Sequence, residues 1–143
     1  MYKNMLRLAL PAIILNSSFA YAQEEDFITS FVAGKYLLIG QSPDSDSTYN
    51  GKVEIYTEND ILKVSRIING KRTEANGSIE PALNGDAQVL RIRFMESGIN
   101  YEETCLIQAD LDNYARLSCH WYQSGVKTGK AGLEALFIDH TIK

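Results

Sequence analysis

The sequence predicts an all-β protein, an eight-stranded antiparallel up-and-down barrel, with a two-sheet β-sandwich as the alternative closure. Three observations carry this expectation. From Gly34 onward the chain breaks into short runs rich in Val, Ile, Tyr and Thr. These runs are separated by clusters of Gly, Asn, Asp, Ser and Pro, and within them apolar and polar residues alternate. A period of two buries one face of each strand, and a sheet with one apolar face must close on itself or stack on another sheet.

Ahead of the strands, residues 1–22 have the anatomy of a secretory signal peptide. Lys3 and Arg7 supply the basic start, Leu8 to Leu15 the apolar core, and Ala20-Tyr21-Ala22 the small-x-small cleavage pattern. The apolar run is shorter than the roughly 20 residues of a spanning helix, so a periplasmic or secreted protein without a membrane anchor is expected. Cleavage leaves 121 residues, the length of one domain. Residues 23–33 read as a strap or short helix in which Phe27, Ile28 and Phe31 cover one end of a barrel formed by residues 34–139, and residues 140–143 read as a tail.

Strands are expected at 34–41, 49–57, 61–69, 71–79, 87–95, 99–109, 114–122 and 130–139. The connections Glu58-Asn59-Asp60, Asn69-Gly70, Asn84-Gly85 and Ser97-Gly98 are hairpin chemistry, because Gly and Asn accept the positive φ of a tight reversal. Alternation turns Val53 and Ile55 inward, together with Leu90, Ile92 and Phe94 and with Leu117, Cys119 and Trp121. Cys105 and Cys119 are equidistant from Asp112, so they should face each other across a hairpin and form a disulfide in an oxidising compartment.

Several function classes find little support. The chain beyond the leader carries twelve basic and eighteen acidic residues, a formal charge of −6, without a long basic run. Nucleic-acid binding through phosphate neutralisation is therefore not expected. His120 and His140 are the only histidines, and no catalytic motif surrounds either, so no enzymatic activity and no cofactor are expected. Glu102 and Glu103 are adjacent on a strand, point to opposite faces and cannot share a substrate. Asp44, Asp46, Thr48 and Asn50 alternate as oxygen donors, but no register adds the glycine and the bidentate glutamate of a calcium loop, so no metal site is expected.

The succession of short strands, with Asn-Gly-Lys turns such as Asn69-Gly70-Lys71, resembles small calycin-type barrels such as avidins and lipocalins. Gly34-Lys35-Tyr36 stands where lipocalins carry Gly-x-Trp, and Trp121 is the single tryptophan, where avidins line their pocket with several. The resemblance implies a barrel interior able to hold an apolar or amphipathic molecule. Locally, Ser97-Gly98-Ile99-Asn100-Tyr101 is similar to the Ser-Gly-x-x-Tyr loop of periplasmic inhibitors of c-type lysozyme. That similarity implies that Ser97 and Tyr101 would enter the cleft of a basic partner protein, whereas between two strands the same residues read as a plain hairpin turn.

The sequence thus suggests a non-catalytic exported binding protein. Arg66 follows Leu62 and Val64 on one strand face, and Glu103 precedes Cys105 and Ile107 on another. With Tyr101 they would form the polar end of a lumenal pocket whose apolar wall includes Trp121. A β-bulge at Ile67 and Ile68 would instead turn Arg66 outward.

Overall fold

The computed structural model describes residues 27–108, 115–127 and 129–141. Eight strands form in chain order: β1 (Gly34–Gln41), β2 (Thr48–Glu58), β3 (Ile61–Ile68), β4 (Lys71–Ala82), β5 (Ala87–Glu96), β6 (Ile99–Ile107), β7 (Leu117–Gln123) and β8 (Gly132–Ile138). Each pairs antiparallel with the next, and β8 returns to β1, closing an up-and-down barrel rather than two sheets. The expected leader and the hairpin tip at Asp112 lie outside the described residues.

Turn chemistry explains why neighbours pair. Asn59-Asp60, Asn69-Gly70 and Ser97-Gly98 each place two consecutive residues at positive φ. That is the two-residue reversal whose twist matches the flanking strands. The longer connections from β1 to β2 and from β7 to β8 lie at the same end of the barrel, and their described residues are bound together. The Asp44 carboxylate accepts the Lys130 amide at 2.8 Å, and the Asp46 carboxylate pairs with the Lys130 ammonium at 2.6 Å. Two of the alternating oxygen donors of the sequence are thereby engaged by a lysine.

The opposite end is covered by the expected helix, here residues 27–32. Its contacts differ from expectation in one respect: Phe27 is largely exposed, and Val32 is the residue driven fully into the core, with Ile28 and Phe31 packed beside it. The Tyr36 hydroxyl donates to the Val32 carbonyl at 2.7 Å. Arg116 lies over the Phe31 ring at 4.6 Å and donates to the Phe31 carbonyl at 3.4 Å, holding the cap down.

Inward positions follow the expected parity in β2, β3, β5, β6 and β7, and Trp121 is buried. The registers run unbroken through Arg66, Ile67 and Ile68 against both β2 and β4, so the bulge alternative is excluded and Arg66 points into the barrel. The lumen is narrow enough that its large rings need glycine opposite them. A Cβ on Gly132 would come within 2.3 Å of the Trp121 ring nitrogen, and one on Gly40 within 2.5 Å of the Tyr49 ring. Trp121 cannot swing aside freely, because its indole N–H donates to the Gln41 carbonyl at 3.2 Å. Gly132→Ala should therefore cost about 1–3 kcal/mol through overpacking. Denaturant melts, together with a shift of the Trp121 emission, would check this.

Candidate functional site

The four residues expected to form a pocket come together near the end of the barrel that carries the Ser97-Gly98 turn. Arg66 on β3 reaches across the lumen, where one guanidinium nitrogen donates to Glu103 on β6 at 2.7 Å and to Glu134 on β8 at 3.0 Å. The second nitrogen donates to the other oxygen of Glu134 at 2.5 Å, making that pair bidentate. The Tyr49 hydroxyl on β2 donates to the same Glu134 oxygen. Three strands are thus joined through one guanidinium whose side chain is 3% exposed, against carboxylates that are fully buried, and Tyr49 adds β2 through Glu134.

Above this layer stand three rings. The Phe94 ring faces the Arg66 guanidinium at 4.5 Å and stacks on Tyr101 at 5.5 Å between centroids. Tyr101 meets the edge of Trp121 at 5.2 Å. Tyr101 is therefore a wall of the barrel mouth and not a free arm. Ser97 is exposed, in the left-handed conformation at φ 52°, at the tip of the β5–β6 hairpin beside exposed Met95 and Ile99. The structure separates the two proposed partner contacts, with Ser97 at the tip and Tyr101 in the ring cluster.

Two carboxylates around one guanidinium leave an excess negative charge in an apolar interior, and protons answer it. Burial first, and then the charge of Glu134, push the Glu103 carboxyl well above its ordinary range against the opposing pull of Arg66. Burial favours the neutral form of Arg66, but the charges of Glu103 and Glu134 more than offset this and keep the guanidinium charged. Burial, and then Glu134, hold the Tyr49 phenol neutral by raising its pKa. The arrangement thus keeps Arg66 charged and Tyr49 neutral and favours the protonated form of Glu103.

The sign of the resulting pH dependence follows directly. A carboxyl whose folded pKa is raised contributes stability that is fully present below its unfolded pKa and lost as pH rises through the folded value. The stability of the native protein relative to Glu103→Gln should therefore fall as pH climbs above 4.5, the ordinary glutamate value. Urea melts of the two proteins across a pH series would measure it, and parallel curves would contradict it. On the outer wall the sign is opposite. Hydrogen bonding, chiefly from Arg93, lowers Glu80 to about 2, so its contribution is lost as pH falls toward that value.

Glu103 also lies 3.8 Å from Cys105 Sγ, and with Cys119 Sγ it places three donor atoms within 4.8 Å of one another. Both sulfurs are bonded to each other, with an S–S distance of 2.07 Å and Cα atoms 4.0 Å apart, so they are not free to ligate. Their direct opposition is the one the sequence spacing implies.

Glu134 and Tyr49 carry no local sequence signal that places them in this layer. β8 reads Gly-Leu-Glu-Ala-Leu-Phe-Ile, apolar at both parities, so alternation does not say which face Glu134 takes. Tyr49 sits beside a polar loop, and its inward role depends on Gly40 opposite it. No protein-family model matches the chain, and no curated protein matches its sequence.

Proposed function

We propose that the protein is an exported, non-catalytic binding module that engages a partner protein through its outer surface, its lumenal charges serving to hold the barrel together. One observation carries this reading. Among the described residues, the inward polar groups of Arg66, Glu103, Glu134 and Tyr49 are bonded to one another and enclosed by apolar side chains, which favours a bracing role over ligand contact. The exposed tip of the β5–β6 hairpin, with Met95, Ser97 and Ile99, offers a projecting contact instead. A basic partner, as for the periplasmic lysozyme inhibitors that Ser97–Tyr101 is similar to, suits an acidic chain. The buried disulfide suits an oxidising compartment.

A second reading, binding of a small apolar or amphipathic molecule, is favoured by a separate feature. A depression of about 510 Å³, open to solvent, lies beside the hairpin and is lined by Phe94, Tyr101, Asn100, Asn76 and Ser124 among others. Of Arg66, Tyr101, Glu103 and Trp121, only Tyr101 borders it. Native mass spectrometry of the protein isolated from its own source separates the two readings. A copurifying protein that is lost in Met95→Ser/Ile99→Ser supports the first. A stoichiometric small molecule that survives that change, and is lost in Tyr101→Ala, supports the second and overturns the first.

A further inference from the structure

β4 and β5 part before either strand ends. Their register stops at Ala75 opposite Phe94, yet β4 starts at Lys71 and β5 runs on to Glu96. Lys71 to Glu74 are paired with β3 alone, and Met95 and Glu96 with β6 alone. One bond shows which backbone groups face the parting. The Ser124 amide donates to the Asn100 carbonyl at 2.9 Å, so Asn100 turns its backbone groups toward β7. Alternation along each strand, carried through the registers from β6 to β5 and β4, turns the N–H and C=O of Met95, Glu74 and Arg72 toward the parting. The depression beside the hairpin tip is centred there. Its lining includes the last pair, Ala75 and Phe94, and the first two residues that do not pair, Glu74 and Met95. At the opposite end β4 also outruns β3, from Ser78 to Ala82, but there Pro81 stands on the open edge and removes a donor. No proline stands at the parting.

Building on the partner-protein reading, we propose that the parting receives an extended segment of that partner, added as a strand between β4 and β5. Backbone chemistry favours this occupant, because strand edges on two sides offer peptide groups at the spacing another peptide matches. Parity favours it too. An added strand sends alternate side chains to opposite faces. One set would enter the barrel mouth, where Ala75 is small and Phe94 and Tyr101 form an apolar wall, and the other would lie outside near Lys63 and Arg93. Lys71 to Glu74 span about 13 Å, so four or five residues of the partner fill the edge. The Lys71 ammonium and the Glu96 carboxylate bridge the parting at its rim, 3.1 Å apart, but both are exposed and such a pair yields easily. Met95 belongs both to this site and to the exposed hairpin tip, so one partner can use the two together.

Random seven-residue peptides displayed on phage, panned over the full chain as its expression host processes it, test the assignment. Enriched sequences should alternate apolar and polar residues. A synthetic peptide of the best sequence should slow hydrogen exchange at the Arg72 and Glu74 amides. Methylating a central backbone nitrogen of that peptide should weaken its binding at least about tenfold, as expected when a buried hydrogen bond is lost. No enriched peptide, protection that falls elsewhere in the barrel, or an affinity indifferent to backbone methylation would overturn the added strand. If a copurifying protein is nonetheless lost in Met95→Ser/Ile99→Ser, the partner-protein reading stands without it. A stoichiometric small molecule lost in Tyr101→Ala would overturn both.

Discussion

Arg66→Met should destabilise the barrel by about 3–5 kcal/mol, because it leaves Glu103 and Glu134 buried without their cation. The whole stability of a domain this size is about 5–15 kcal/mol, so the variant should fold marginally or not at all at neutral pH. The loss has a further signature. With Arg66 gone the remaining charge can be removed only by protonation, so the deficit should shrink as pH falls toward the ordinary glutamate range. A deficit that did not vary with pH would mean that packing of the long side chain over Phe94 matters more than its charge. Urea unfolding at pH 4 and pH 7 separates the two.

Replacing both cysteines, as Cys105→Ala/Cys119→Ala, should cost about 3 kcal/mol in the chain-entropy account, since the bond closes a loop of about 15 residues. The bond ties β6 to β7 where both sulfurs are fully or almost fully buried, so the lost packing adds to that figure. The bond also adjoins Glu103, which links it to the ionic layer. A thermal melt of the double variant should therefore fall by roughly 10 °C or more for a chain of this length. The same shift should follow reduction under denaturing conditions and refolding with the thiols blocked. A variant melting within a degree or two of the native protein would contradict the chain-entropy account for this bond.

The sequence made the barrel legible through parity and turn chemistry. Each residue of Asn69-Gly70 suits positive φ, and Leu90, Ile92 and Phe94 alternate with Arg91 and Arg93, so strand, facing and reversal are local facts. The cysteine spacing fixed the β6–β7 register for the same reason. Half of the ionic layer was legible in the same way, since Arg66 and Glu103 each share a face with apolar neighbours. The other half was not, because it rests on features that parity does not encode. Glu134 faces inward only because the register with β1 sets it opposite Gly40, and Tyr49 reaches it only because Gly40 has no side chain. The separation of Ser97 from Tyr101 was also hidden. Whether a tyrosine four residues beyond Ser97 projects or packs depends on Phe94 and Trp121, which lie on two other strands.

On the reading proposed above, the lumenal charges form a brace that is compensated from within. Unfolding free energies of Arg66→Met and of the triple variant Arg66→Met/Glu103→Gln/Glu134→Gln, measured side by side at pH 7, test it most directly. The triple variant should regain more than half of what the single change loses, because no uncompensated charge then remains inside. A triple variant no more stable than Arg66→Met would contradict it, for those side chains would then be serving something other than one another.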